Sequence, residues 1–175
     1  SFGANGDGTD QTLALQRAID QLYLPWSGAS DADSLKKRIT LKLDAGLYKI
    51  NDSLKVPPYV NLVGDGSDKT VIEQTGAFAV IETINGNGIN AQTSSTNQTN
   101  IIRLQGMTLK SYLTNPALKL SSTKDSQFVD IKLQGPWTQG SAINATQVGL
   151  LMEATSTPVT TQNNNFEKLK VVGFS

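Results

Sequence analysis

A short phrase occurs three times in the sequence, and it limits the folds that the chain can adopt. The copies are residues 104–111 (LQGMTLKS), 128–135 (FVDIKLQG) and 166–173 (FEKLKVVG). Each begins with an apolar residue, continues through a two-residue gap and then alternates as a half-buried strand does. Because so short a unit cannot bury its apolar side alone, neighbouring copies must stack on one another. The repeat therefore predicts a solenoid of short strands.

Aligning the copies predicts which side chains share a face. The inward columns are Leu104, Phe128 and Phe166; Met107, Ile131 and Leu169; and Leu109, Leu133 and Val171. The outward columns are Thr108, Lys132 and Lys170, followed by Lys110, Gln134 and Val172. In the same alignment, Gly106 matches Asp130 and Lys168, and Gln105 matches Val129 and Glu167. On a second predicted strand, Lys119 matches Leu151 and Ser121 matches Glu153.

The rest of the chain predicts an all-β fold with one helix. Residues 1–10 form a turn-rich segment, and residues 11–24 form an amphipathic helix that Thr9 or Asp10 caps and Pro25 ends. Strands are predicted at residues 39–43, 47–50, 54–56, 59–63, 70–73, 78–84, 117–120 and 148–152, between turns rich in Gly, Asn and Asp. The organisation is a loop and capping helix at residues 1–38 and stacked strands at residues 39–175, which we expect to continue past Ser175 or to be covered by a partner.

Composition excludes several kinds of chemistry. The chain has no cysteine and no histidine, so disulfides, thiol nucleophiles and a Ser-His-Asp triad are excluded. The formal net charge is zero, whereas nucleic acids and anionic membranes favour a basic excess. We expect no cofactor, no bound metal, and neither a nucleic-acid nor a membrane partner.

A pair of catalytic carboxylates would require acidic residues at neighbouring positions of the outward columns. Equivalent residues on stacked strands lie about 4.8 Å apart, and the two carboxyl groups of glycosidases are separated by ~5–9.5 Å. No aligned column contains two acids, which argues against a complete active site in this segment. Asp130, Glu153 and Glu167 remain as candidate catalytic residues.

Two features suggest carbohydrate binding, and each has a simpler reading. Lys132 and Lys170 would lie on successive strands, where like charges repel unless they are solvated or share an anion. They form either a patch for an acidic polysaccharide or an ordinary pair of solvated lysines. Trp137 is either a platform for a sugar ring or a loop anchor.

Three segments resemble proteins of the pectate lyase superfamily. They are residues 2–12 (FGANGDGTDQT) with 15–19 (LQRAI), residues 43–50 (LDAGLYKI) and residues 60–66 (VNLVGDG). The resemblance covers nearly the whole chain and implies a right-handed parallel β-helix whose N-terminal end is covered by an α-helix. It departs from the family at Ala45-Gly46, where Pro-Gly is usual. None of the chain's arginines, Arg17, Arg38 and Arg103, stands in a recognisable lyase motif.

Within that superfamily the chain is most similar to the N-terminal part of bacteriophage tailspike β-helices. This implies a homotrimer, located on the virion or outside the cell, that binds host cell-surface polysaccharide and could depolymerise it, with other virion proteins as further partners. Exposed Leu151 and Val172 are consistent with cover by another chain. The alternatives are a polysaccharide lyase or glycoside hydrolase of cellular origin, with an active site partly outside this segment, and a purely structural virion module.

Overall fold

The computed structural model describes residues 3–23, 40–84, 99–112, 115–137, 147–154 and 160–174. Within these ranges the chain forms one helix and fifteen short strands. They are β1 (Asp7–Asp10), α1 (Thr12–Tyr23), β2 (Thr40–Leu43), β3 (Gly46–Ile50), β4 (Leu54–Val56), β5 (Asn61–Gly64), β6 (Thr70–Gln74), β7 (Ile81–Thr83), β8 (Thr99–Asn100), β9 (Arg103–Lys110), β10 (Leu118–Ser121), β11 (Thr123–Lys124), β12 (Gln127–Gln134), β13 (Leu150–Glu153), β14 (Asn165–Glu167) and β15 (Lys170–Val172). The predicted boundary between residues 38 and 39 lies outside the described residues.

The described strands pair in parallel and stack along one axis. The larger sheet, sheet A, runs β1-β3-β6-β9-β12-β14, with β15 also on β12, and with β2 and β5 leading to β9. A second sheet, sheet B, has the order β13-β10-β7-β4. Strands that are neighbours in a sheet come from successive turns of the chain, as in a right-handed parallel β-helix. The prediction of fold class is confirmed.

The register predicted from the three repeats is confirmed at each paired position. On β12, Phe128 pairs with Leu104 on one side and with Phe166 on the other, and the Phe128 and Phe166 rings stack with centroids 4.9 Å apart. Ile131 pairs with Met107, and Leu133 with both Leu109 and Val171. The inward side chains of β9 and β12 are fully buried, so the stack of apolar columns forms the core.

The two-residue gap in the repeat is a bend in the strand. Gly106, Asp130 and Lys168 share one column and all have positive φ, at 66°, 51° and 54°. A single left-handed residue interrupts the alternation, so the next side chain, such as Ile131, again faces the core. Only glycine adopts this conformation without cost. Because two of the three copies have aspartate or lysine at this position, the sequence did not indicate the bend.

Helix α1 covers the N-terminal end of the strands, as predicted. Leu15 and Ile19 are buried in the core, and the side chain of Gln16 replaces a missing strand beside β4. Its Nε2 donates to the carbonyl of Lys55 at 3.0 Å, and its Oε1 accepts from the N–H of Lys55 at 2.8 Å. Pairing the exposed edge in this way removes a site at which another chain could add as a strand.

Asp10 is the residue that caps the helix. Its Oδ1 accepts from the Thr12 hydroxyl at 2.6 Å and from the Thr12 N–H at 3.0 Å. The hydrogen bond from the Thr12 hydroxyl, together with that from its N–H, lowers the pKa of Asp10. Of the two caps considered, the structure selects Asp10.

Two expectations need correction. The segment predicted as turns contains strand β1, which forms because its backbone pairs with the edge of β3 although DGTD carries no apolar residue. Leu151 and Val172 are half-buried rather than exposed. Two inward side chains on the last described strands of sheets A and B are exposed instead, Val171 at 50% and Met152 at 46%, because no described strand stacks beyond them.

Candidate functional site

Two lysines lie side by side on the outer face of sheet A. Lys132 of β12 and Lys170 of β15 are register partners, so their backbones are about 4.8 Å apart. Lys132 is half-buried and Lys170 is exposed. Among the described residues neither ammonium has a carboxylate within ion-pair distance. We call these two residues the lysine pair.

Thr108 is the third residue of the outward column that contains Lys132 and Lys170, and it is not accessible from the surface. Its side chain is buried, and its hydroxyl donates to the carbonyl of Ser67. Ser67 belongs to a loop, residues 65–69, which projects between β5 and β6 and which we call the strap. The open part of the column in sheet A therefore begins at Lys132.

The carboxylate of Asp130 binds the strap through hydrogen bonds. Its Oδ1 accepts from the Ser67 hydroxyl at 2.9 Å, and its Oδ2 accepts from the Ser67 N–H at 3.2 Å. Both oxygens of this candidate catalytic carboxylate therefore have structural partners. Glu167 is exposed and lies in a different column, in register with Val129.

Trp137 is exposed but lies apart from the lysine pair. It follows the end of β12, and its N–H donates to the carbonyl of Gly173 at 2.9 Å. The chain between Lys132 and Trp137 includes the rest of the strand and the turn at Gly135. The structure thus brings the two predicted lysines together and places the tryptophan beyond the strand end.

A different arrangement occupies the outer face of sheet B. Lys119 of β10 lies between Glu82 of β7 and Glu153 of β13, and its Nζ is 3.0 Å from Glu82 Oε1 and 3.1 Å from Glu153 Oε1. The Ser121 hydroxyl also donates to Glu153, at 3.1 Å. Burial acts to lower the pKa of Lys119, but the hydrogen bonds to Glu82 and Glu153 outweigh it and raise that pKa. We call Glu82, Lys119 and Glu153 the ion ladder.

The ion ladder was missed because only part of sheet B was aligned from sequence. Lys119 was matched with Leu151 and Ser121 with Glu153, and both matches are confirmed. Glu82 was not matched with Lys119, although the two are register partners. The outward position of Glu82 between buried Ile81 and Thr83 was the available signal. Glu82 and Glu153 lie two strands apart, with Lys119 on the strand between them. Comparing the acids within single columns does not reveal this arrangement.

A third cluster lies further along sheet A. Lys110 donates to Glu73 Oε2 at 2.8 Å and to the Tyr112 hydroxyl at 3.0 Å. Burial acts to lower the pKa of Lys110, and the hydrogen bonds to Glu73 and Tyr112 raise it overall. This lysine is satisfied by its neighbours, as Lys119 is.

The described part of the chain has neither a metal-ion cluster nor a membrane-spanning helix. No group of three or more acidic residues there is placed to hold a metal ion. No described helix has the length and apolarity that crossing a bilayer requires.

The parallel strands, left-handed bends and capping helix define a β-helix of the pectate lyase type. A family model described as rhamnogalacturonase A/epimerase, pectate lyase-like, matches residues 1–175. The chain belongs to this family.

Solved structures with this fold include a viral and a bacterial protein. ORF18 of Geobacillus virus E2 is 22% identical with a TM-score of 0.61, over 75% of this chain and 24% of that one. The A-module of the mannuronan C-5 epimerase AlgE4 of Azotobacter vinelandii is 16% identical with a TM-score of 0.52, over 96% of this chain and 48% of that one. This chain therefore spans about a quarter and about half of those two proteins. A search of curated protein sequences found no match.

Proposed function

We propose that this chain is a β-helix segment of a bacteriophage tailspike or related virion appendage that binds an acidic polysaccharide of the host cell surface. Membership of a pectate lyase-like family supports a carbohydrate ligand, and the fold shared with a viral protein supports a virion location. A homotrimer is part of this proposal, together with further virion proteins as partners.

The observation that carries the proposal is the lysine pair. Two ammonium groups on neighbouring strands repel one another, and among the described residues they have no counter-charge. An anionic ligand that contacts both Lys132 and Lys170 would relieve this repulsion. The favourable interaction would be made mainly in the complex, which is what a binding site requires.

Binding to a panel of acidic and neutral bacterial polysaccharides tests the proposal. We expect the wild type to bind acidic members and the Lys132→Gln/Lys170→Gln variant to bind them roughly 10- to 30-fold more weakly, because a lysine near an anionic surface contributes about 1 kcal/mol. Lys55→Gln, on the outer face of sheet B, is the matched control and should bind as the wild type does. Equal binding by the double variant would contradict the assignment.

Hydrolysis at the ion ladder is a second candidate function. The Glu82 and Glu153 oxygens are bonded to the same ammonium, so they are no further apart than the sum of 3.0 Å and 3.1 Å. That limit is compatible with the ~5–5.5 Å of retaining glycosidases and is below the ~6.5–9.5 Å of inverting ones. However, the ammonium group of Lys119 stands between the two carboxylates and contacts both. The substrate would have to displace Lys119.

The two candidates are distinguished by product formation. Release of new reducing ends by the wild type, abolished in Glu82→Gln and in Glu153→Gln, would support hydrolysis. Release of unsaturated products would indicate a lyase instead. Binding without turnover leaves the glycan-binding function, and silence in both assays would favour the purely structural virion module.

A further inference from the structure

The strap, residues 65–69, is an insertion at the bend of one strand pair. Val63 pairs with Gln105, and Val71 pairs with Thr108. On β9 these partners are separated by Gly106 and Met107 alone, whereas on the neighbouring turn Gly64 and Thr70 enclose the strap as well. The register on both sides is unchanged, so the strap is additional chain that projects from the outer face.

The strap contacts the bends of successive turns. Towards the C-terminal strands, the Gly66 N–H donates to the carbonyl of Gly106 at 3.0 Å, and Ser67 reaches Asp130. A Cβ on Gly106 would stand 3.2 Å from the backbone nitrogen of Gly66, so the strap packs directly against this glycine.

The other end of the strap is bound to the preceding turn of the β-helix, which contains β2 and β3. Asp65 Oδ2 accepts from the Ala45 N–H at 3.1 Å, and Asp65 Oδ1 is 3.0 Å from Lys42 Nζ. The hydrogen bond from Lys42 lowers the pKa of Asp65. With Asp130 at the far end, the strap is fastened across bends belonging to four successive turns.

The strap ends where the lysine pair begins. Asp130, which holds its tip, precedes Lys132 by two positions on the same strand. On the N-terminal side of that point the strap covers the bend and buries Thr108. On the C-terminal side, Lys132 and Lys170 are accessible.

We infer that the strap is an end wall of the polysaccharide-binding face, so that a chain bound along the axis at the lysine pair presents a terminus there instead of continuing over the N-terminal strands. This inference rests on the proposed function. It assigns to residues 65–69 the selection of chain ends or short segments over internal segments. Removal of the strap would also free Lys42 from Asp65 and uncover the Thr108 hydroxyl, which together extend the polar face.

A size series of oligogalacturonides, from disaccharide to decasaccharide, tests this by titration. For the wild type we expect the affinity to stop rising once the oligomer spans the lysine pair. Deletion of residues 65–69 leaves Val63-Gly64-Thr70-Val71, which has the same spacing as Gln105-Gly106-Met107-Thr108. In this variant the affinity should keep rising with length, to at least roughly fivefold above the wild type for the longest member.

A second variant decides the question if the deletion does not fold. Asp130→Gly removes both bonds to Ser67 and suits the left-handed bend. It should free the strap tip and shift the length profile in the same direction. Asp125→Gly is the matched control, since Asp125 is also an aspartate with positive φ, at 53°, and is exposed where Asp130 is half-buried. It should keep the wild-type profile.

The outcomes separate the wall from the binding function. Identical length profiles for the wild type and both strap variants, or a wild-type affinity that rises over the whole series, would overturn the wall and leave binding intact. Failure of the wild type to bind any oligomer or polymer would overturn both.

Discussion

Lysines on the two sheets lie in opposite electrostatic surroundings. On sheet B, Lys119 has a carboxylate on each neighbouring strand. On sheet A, Lys132 has another lysine on the next strand. The strand spacing is the same in both places, so the residue types on adjacent turns decide whether a lysine faces opposite or like charges. Within the described part of the chain, the lysine of the ion ladder is paired with carboxylates, and the lysines of the lysine pair are not.

The largest expected effect comes from breaking the ion ladder. Lys119→Met should lower the free energy of unfolding by about 1–2 kcal/mol, because two ion pairs worth up to about 1 kcal/mol each are lost and Glu82 and Glu153 then repel. Urea denaturation measures this, with Lys124→Met as the control, since Lys124 is also half-buried and forms no ion pair with a described residue. A loss no greater than that of the control would show that the ladder contributes nothing to stability.

Alkaline pH should weaken the ion ladder in the same way. The pKa of Lys119 is raised above its usual 10.5 in the folded protein. Its contribution is therefore complete below the unfolded pKa and is lost as the pH rises through the folded pKa. Between about pH 9 and pH 12, the free energy of unfolding should fall less in Glu82→Gln/Glu153→Gln than in the wild type. The difference between the two proteins should be below about 1 kcal/mol. Parallel pH profiles would contradict the role of the two carboxylates.

The smallest expected effect is a gain in stability from removing one lysine of the lysine pair. Lys132→Met should raise the free energy of unfolding by a few tenths of a kcal/mol, because it removes repulsion from Lys170 on the adjacent strand. Added salt should shrink the difference, since screening weakens the repulsion in the wild type. Thermal denaturation in low and high salt checks both statements, and a clear loss of stability in low salt would mean that Lys132 has a counter-charge.

Register was the part of this structure that the sequence predicted best. An inward column such as Leu104, Phe128 and Phe166 is defined by burial, and a shift of one residue would expose the whole apolar set. The strap over Thr108 could not be predicted, because its bonds join Ser67 to residues of turns that are far away in sequence. The ion ladder needed the register of Glu82, which lies in a three-residue strand outside the repeated phrase.

The bends also show where this fold accepts additional chain. Between Gly64 and Thr70 the strap was accommodated while the pairings of β5 and β6 stayed in register. Asp130 and Lys168 occupy the same structural position with a single residue each. The column of bends therefore tolerates loops of different length without a change in strand register. New loops could be grafted at the bend column to recognise different surfaces, while the inward columns that hold the molecule together remain unaltered.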